Sequence, residues 1–162
     1  MKRHVSTLQA ALFSAASLGL SLAPNAAFAT PVVEVPNGGT VTINGTYLGS
    51  PNPNPAVYQV FATANQCLRI QGIVPAGASA YDIEATLVSP GGTTWQDDDS
   101  AGNVQPLIKA IAPGTGWYTL HIAQYFGSTS NGNFTVQIGR FASTDARCQP
   151  PTSPRFTSNT PK

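Results

Sequence analysis

Short runs of alternating apolar and polar residues follow one another along most of the chain, each bounded by Gly, Pro, Asn or Ser. Residues 82–89 are a clear example, because Ile83, Ala85 and Leu87 alternate with polar residues. Alternation with a period of two is typical of a strand with one buried face. The Ser-Pro-Gly-Gly sequence that closes this run favours a turn, since proline has a fixed φ and glycine tolerates a positive one. The stretch 81–141 therefore predicts antiparallel strands joined by turns.

The same pattern extends to both sides of this stretch. The predicted strands, in chain order, are residues 32–35, 40–46, 56–62, 66–73, 82–89, 93–96, 104–112, 117–124 and 133–138. Residues 48–55 contain three prolines, which cannot donate to a sheet ladder, so we expect an exposed loop there. Eight or nine short strands without helices predict an all-β, single-domain antiparallel β-sandwich or jelly roll.

The two ends of the chain lack this alternation. Residues 1–29 begin with basic residues, continue as an uncharged, largely apolar run and end in Ala27-Phe28-Ala29, which predicts a secretory signal peptide. A retained membrane anchor is the alternative, although the run is diluted by serine and shorter than the ~20 residues that a span needs. Residues 149–162 are polar and rich in proline, which predicts a disordered tail. The folded domain is then expected at residues 30–148.

Charge narrows the range of partners. The chain has eight Lys and Arg and seven Asp and Glu residues, and two of the basic residues lie in the predicted signal peptide. Without a basic patch, nothing would neutralise the phosphates of a nucleic acid or of an anionic membrane, so neither is expected as a partner. We expect a secreted or periplasmic protein that is a monomer.

Cys67 and Cys148 are the two cysteines, and predicted export places them in an oxidising compartment. We expect one intramolecular disulfide between the strand at Cys67 and the segment after the last strand. Chain entropy assigns such a bridge on the order of 4 kcal/mol. Two unpaired thiols are the alternative. A zinc site is not expected, because His121 is the sole histidine outside the signal peptide and zinc usually takes four N or S ligands.

Three motifs in a fixed order resemble a known family. The first is Tyr58-Gln-Val-Phe followed by Gln66-Cys-Leu-Arg-Ile, and the second is Asp82-Ile-Glu-Ala-Thr-Leu-Val-Ser-Pro-Gly-Gly. The third is Gly116-Trp-Tyr-Thr-Leu-His-Ile followed by Asn133-Phe-Thr-Val-Gln-Ile. In this order they resemble the bacterial pre-peptidase C-terminal domain, a jelly-roll-like β-sandwich appended to secreted proteases.

This resemblance covers residues 41–141 and implies an accessory role instead of catalysis. Domains of this family accompany secreted hydrolases, and relatives in collagenases bind substrate and calcium. The chain departs from the family pattern in the second motif, where two residues are inserted before Leu87. We also expect no peptidase upstream, because the predicted signal peptide leads almost directly into the domain.

Five acidic residues are the candidate metal ligands: Asp82, Glu84, Asp97, Asp98 and Asp99. The first two are two positions apart on a predicted strand and so share a face. Three consecutive aspartates repel one another, and a hard cation with oxygen ligands would relieve that repulsion. Calcium is therefore the expected ion. The alternative is a solvated acidic loop without metal.

Four aromatic residues are the candidate ligand-binding set: Trp95, Trp117, Tyr125 and Phe126. Trp117 and Tyr125 have the parity opposite to the apolar positions of their strand, so we expect both to face solvent. Exposed aromatic rings of this kind are typical of sites for sugars or protein partners. The alternative is a second packed face within the sandwich.

No catalytic constellation emerges from the sequence. His121 lies in the middle of a predicted strand and near no Gly-x-Ser-x-Gly motif, so a base beside a nucleophile is not expected. We therefore predict a secreted, non-enzymatic accessory or binding module, stabilised by calcium, that binds extracellular protein or polysaccharide. The alternative is a small secreted hydrolase that uses the acidic residues as paired carboxylates.

Overall fold

The computed structural model describes residues 29–48, 54–125 and 131–156. These residues form nine strands and one short 3-10 helix. The strands are β1 (Val32–Val33), β2 (Thr40–Tyr47), β3 (Ala56–Ala62), β4 (Gln66–Gly72), β5 (Ile83–Val88), β6 (Thr94–Asp97), β7 (Leu107–Ile111), β8 (Gly116–Gln124) and β9 (Gly132–Ala142), and the helix is Ala146–Cys148. No helix in the described ranges is long and apolar enough to cross a membrane. The predicted signal peptide lies outside them, except for Ala29.

The strands form two sheets, one of five strands in the order β1-β3-β8-β5-β6 and one of four in the order β2-β9-β4-β7. All pairs are antiparallel except β1 with β3, which run parallel because the chain visits the other sheet as β2 between them. Along β9, Phe134, Val136 and Ile138 are buried while the residues between them are partly exposed. The two inner faces therefore pack as a sandwich, which confirms the all-β prediction.

The disulfide lies on the outer face of the four-stranded sheet. Cys67 and Cys148 are joined with a Cα–Cα distance of 6.3 Å, which confirms the predicted bridge. Both sulfur-bearing residues and Phe141 form a small buried cluster separate from the main core. The guanidinium of Arg147 lies 3.7 Å above the ring of Phe141 and also pairs with Asp145 at 2.7 Å. Hydrogen bonds from Arg147 lower the pKa of Asp145 to about 2.

The segment after the disulfide follows the edge of β7. The backbone N–H of Lys109 donates to the hydroxyl of Thr152, and the N–H of Thr152 donates to the carbonyl of Lys109, both at 3.0 Å. The ammonium of Lys109 also donates to the carbonyl of Gln149 at 3.0 Å. These bonds satisfy backbone groups that an edge strand otherwise leaves unpaired.

The segment then crosses to β6, the edge strand of the other sheet. Thr94 and Phe156 form an isolated antiparallel bridge, and the N–H of Arg155 donates to the carbonyl of Thr94 at 2.8 Å. The structure thus differs from the predicted disorder at residues 149–156. The reason is that Cys148 anchors this segment beside two open edges, which composition alone does not reveal. Residues 157–162 lie outside the described part of the chain.

Candidate functional site

The predicted aromatic residues do not form one surface. Trp117 is near the start of β8 and Tyr125 directly follows its end, so a strand rise of ~3.3 Å per residue separates them by about 26 Å. Both are exposed, at 49% and 42%, as their parity predicted. Trp95 is only 3% exposed, because it pairs with Leu87 and faces the core, so the prediction of a ligand-binding role for it is corrected. Phe126 lies outside the described residues.

Trp117 forms a cleft with its cross-strand neighbour. Phe61 on β3 is its register partner, and the two rings meet edge-to-face with centroids 5.3 Å apart and planes at 68°. The space beside them has a volume of about 460 Å³. We call it the Trp117 cleft, and its lining residues are Val33, Glu34, Val35, Pro36, Phe61, Trp117 and Arg140.

Arg140 enters this cleft from the opposite sheet. It has the parity of Ile138 on β9, so its side chain starts on the core-facing side at the end of the sandwich. Its Nη1 donates to the carbonyl of Phe61 at 3.4 Å, a long bond that joins the two sheets. Its Nε is buried and has no hydrogen-bond partner among the described residues. The Nε–H donor of this guanidinium therefore lacks an acceptor there.

The sequence contained a signal for Arg140 that the prediction did not use. The predicted last strand ends at Ile138, whereas β9 continues to Ala142. Continuing the alternation by one step would have placed Arg140 on the core-facing side. A cation at such a position either has a buried partner or lines a cavity. What the pattern could not supply is the neighbour from the other sheet, Phe61, because that contact depends on how the sheets stack.

The acidic residues lie at the other end of the sandwich, around the loop between β6 and β7. The carboxylate of Asp97 is occupied by this loop. One of its oxygens accepts from the backbone N–H groups of Ser100 and Leu107 at 3.1 and 2.7 Å, and the other accepts from the Ser100 hydroxyl at 2.6 Å. The loop also bends the chain sharply, since Asn103 and Val104 have φ values of 53° and 56°. For that reason β7 begins at Leu107 and not at the predicted residue 104.

Three of the predicted metal ligands are close together. Oxygen atoms of Asp97, Asp98 and Asp99 lie within 4.8 Å of one another. Asp82 is not part of this group, but burial raises its pKa and the negative charges of Asp98 and Asp99 raise it further. Glu84 is not part of the group and accepts a long, 3.5 Å hydrogen bond from Thr86. The donor set fits calcium chemically, because carboxylate oxygens are the ligands that calcium prefers and water would complete the coordination, and the calcium site stays a prediction.

Tyr47 is a buried group at this end that the sequence analysis did not single out. Its side chain is 1% exposed, and its hydroxyl has no hydrogen-bond partner among the described residues. Burial raises its pKa, and so do Tyr81 and Asp82. The hydroxyl packs against Gly132, where even a Cβ atom would collide with it. Tyr47 therefore packs in the core and lines a small cavity of about 260 Å³ beside Tyr81.

Among the described residues, His121 is not hydrogen-bonded to a nucleophilic side chain, as the base of a hydrolase would be. It lies on β8 opposite Val57 and Thr86, and no hydrogen bond within the described residues joins its ring to a Ser, Thr or Cys side chain. The carboxylate of Asp97 already accepts three hydrogen bonds from its own loop. Nothing in this arrangement favours the paired-carboxylate alternative.

Three solved structures are similar to this chain in fold. They are periplasmic inhibitors of g-type lysozyme (PliG) from Salmonella Typhimurium and Aeromonas hydrophila, and the pre-peptidase C-terminal domain of a collagenase from Bacillus anthracis. Sequence identities are 17%, 14% and 14%, and TM-scores are 0.46, 0.48 and 0.45. The alignments cover 68%, 69% and 68% of this chain and 97%, 99% and 92% of the others.

The family that the sequence motifs resemble is thus represented among these structures. The two-sheet fold of this chain is the β-sandwich that the resemblance implied. Similarity of this size assigns neither an activity nor a partner to the chain. No protein-family model matches the sequence, and no curated protein matches it.

Proposed function

We propose that this protein is a non-enzymatic binding module of an oxidising compartment, secreted or periplasmic, and that its partner engages the Trp117 cleft. The observation that carries the proposal is the half-exposed indole of Trp117, held edge-to-face by Phe61 at the mouth of a concavity of about 460 Å³. Binding removes the apolar surface of an exposed tryptophan from water, which is favourable. Such residues are frequent anchors of protein interfaces. The cleft's volume lies within the range of ordinary ligand sites.

The position of the cleft supports a rigid, preformed site. Trp117 and Phe61 belong to two adjacent strands of the five-stranded sheet, and their main chains are fixed by the β3–β8 ladder. Little ordering of the backbone would then be needed on binding, and less conformational entropy would be lost. The Cys67–Cys148 bridge supports the proposed compartment, because disulfides persist where the surroundings are oxidising.

Calcium is the second element of the proposal. The carboxylates of Asp98 and Asp99 have no hydrogen bond or ion pair within the described residues, so their oxygens are available to an ion. An ion beside them would offset the mutual repulsion that also raises the pKa of Asp82. This role is structural, because the acidic loop and the Trp117 cleft lie at opposite ends of β8.

A selection experiment tests the proposed function. The probes are a phage-displayed library of random twelve-residue peptides and a panel of soluble polysaccharides, each applied to the folded protein. The test variant is Trp117→Ala, and the matched control is Tyr125→Ala, which removes a similarly exposed ring from the far end of the same strand. We expect ligands selected on the wild type to lose at least about tenfold in affinity with Trp117→Ala, as for an interface anchor, and to keep it with Tyr125→Ala. Equal affinities of the selected ligands for the wild type and for Trp117→Ala would contradict the proposal.

A further inference from the structure

We propose that the Trp117 cleft recognises an extended peptide segment of another protein, and that Arg140 binds a carboxylate of that segment beside an apolar side chain seated on Trp117 and Phe61. This inference rests on the proposed function and deepens it, since it names the chemistry of the partner. Three features of the cleft carry it: the unsatisfied guanidinium, the open edge of β1 and the apolar walls.

The guanidinium of Arg140 has a hydrogen-bond donor without an acceptor. Its only hydrogen bond within the described residues is the long one to the Phe61 carbonyl, and its Nε is shielded from water without a partner. Among the described residues the one ion pair joins Arg147 to Asp145, so no carboxylate lies within ion-pair distance of Arg140. A buried donor without an acceptor destabilises the free protein. A planar carboxylate matches the guanidinium fork and would supply charge-assisted acceptors.

The backbone edge beside the cleft favours a peptide over a sugar. β1 is the terminal strand of its sheet and consists of two residues, so no other strand of the described residues lies along its outer edge. The ladder ends there, and no backbone hydrogen bond joins Glu34 or Val35 to another described residue. Both residues line the cleft. Glu34 is exposed whereas Val35 is buried, so it is the backbone of Glu34 that an extended peptide can reach with main-chain hydrogen bonds, which a sugar ring does not form in register.

The other lining residues indicate which further side chains the bound peptide would carry. Val33 and Val35 are already buried, so Pro36 and the aromatic pair provide the apolar wall against which an aromatic or long aliphatic side chain would bury area. Glu34 is the acidic group of the lining and would repel a second carboxylate. The geometry thus fits a segment with one carboxylate, and not a polyanion.

A matched pair of fragments tests the inference without a known partner. The probes are N-acetyl-L-phenylalanine and its amide, which differ only in the carboxylate. Each is added to the ¹⁵N-labelled protein up to about 50 mM, because ligands with so few atoms usually bind weakly. The signals to follow are the Arg140 Nε–H, the Trp117 indole N–H and the Glu34 and Val35 amides. We expect the acid to shift all of them and to bind about tenfold more tightly than the amide, as for one charge-assisted hydrogen bond.

Variants then separate the carboxylate site from the aromatic anchor. Arg140→Met keeps much of the side-chain volume and should make the acid and the amide bind equally, whereas Arg140→Lys should keep part of the preference because it keeps the charge but not the fork. Arg155→Gln, which removes an exposed arginine elsewhere, should change nothing. Melting curves of each variant establish that it is folded.

Each outcome decides between this inference and the proposed function. If Trp117 shifts equally with acid and amide and Arg140→Met has no effect, the carboxylate site is wrong while the binding cleft stands. If neither probe shifts Trp117 or Arg140, the inference fails, and only the selection experiment then bears on the cleft. A third probe, D-galacturonic acid, distinguishes the ligand class: a larger Arg140 shift with this acidic sugar than with N-acetyl-L-phenylalanine overturns the peptide assignment.

Discussion

The carboxylate of Asp97 accepts a hydrogen bond of 2.7 Å from the backbone N–H of Leu107, so the last residue of β6 binds the first residue of β7. These strands belong to different sheets and are the edge strands on the same side of the sandwich. The contact therefore fixes the loop that passes from one sheet to the other. Asp97 also accepts from the N–H of Ser100 inside that loop. Its charge serves the fold in addition to any role toward a metal.

We predict that Asp97→Ala lowers the free energy of unfolding by about 1–3 kcal/mol, because two backbone N–H groups lose their acceptor. Asp97→Asn should cost less, since the amide oxygen can replace one carboxylate oxygen and the NH₂ group can donate to the Ser100 hydroxyl. Urea unfolding measures both variants. The control is Asp99→Ala, an exposed neighbour that should change stability by less than about 0.5 kcal/mol. Repulsion alone would predict that both alanine variants are stabilised, and that result would contradict the role assigned to Asp97.

The calcium prediction concerns Asp98 and Asp99, which remain available to an ion. At a calcium concentration one hundredfold above the dissociation constant, mass action stabilises the folded state by about 2.7 kcal/mol. The melting temperature should rise by several degrees for a domain of this size, and magnesium should do less because it holds its water more tightly. The double variant Asp98→Asn/Asp99→Asn should lose the response, while Glu84→Gln, outside the cluster, should keep it. A wild-type melting curve that millimolar calcium leaves unchanged would mean a solvated acidic loop.

The length of the alternating pattern explains for which aromatic residues the exposure could be predicted from the sequence. Trp117 lies in a strand of nine residues whose alternation is long enough to distinguish its two faces, and its exposure followed from that. Trp95 lies in a strand of four residues, and the run Thr-Trp-Gln-Asp has a single apolar residue. One position cannot define a periodicity. The burial of Trp95 is decided by its pairing with Leu87 across the β5–β6 ladder, a tertiary fact.

The disulfide could be predicted from the sequence, whereas the cleft could not. Two cysteines allow only one intramolecular pairing, so Cys67 and Cys148 could be joined from the sequence. The cleft instead brings together Glu34, Phe61 and Arg140, which belong to different sheets or sheet edges and are far apart in the chain. No spacing rule links such residues, because the stacking of the two sheets brings them together. The motifs that resemble a known family cover Phe61 and Trp117 but assign neither residue to a site.

The C-terminal segment should contribute measurably to stability. Deleting residues 150–162 removes the hydrogen bonds of Thr152 to Lys109 and of Arg155 and Phe156 to Thr94. Net contributions near 1 kcal/mol for each bond, offset by the entropy of ordering the segment, predict a loss of about 1–3 kcal/mol. The deletion also exposes the edges of β6 and β7, so we expect concentration-dependent self-association by sedimentation.

A smaller change controls for this truncation. Thr152→Val removes the hydroxyl that accepts from Lys109 but keeps the length and backbone of the segment. It should cost less than the deletion and leave the protein monomeric. Equal melting curves for the wild type and the deletion, with no change in sedimentation, would show that residues 150–156 contribute nothing and would restore the tail predicted from composition.

The last prediction is the pH dependence of Asp82. Burial and the charges of Asp98 and Asp99 raise its pKa above the ordinary value of 3.8, so the folded state holds the proton more tightly than the unfolded chain. Stability from this group therefore grows as the pH falls through the raised pKa and is absent at neutral pH, the reverse of an aspartate in a salt bridge. Asp82→Asn should unfold at a higher urea concentration than the wild type at pH 7, and the difference should vanish at a pH below the ordinary value. A ¹³C titration gives the pKa of Asp82 directly, and saturating calcium should lower it. A value at or below 3.8 without calcium would mean that burial and the charges of Asp98 and Asp99 do not raise the pKa of Asp82.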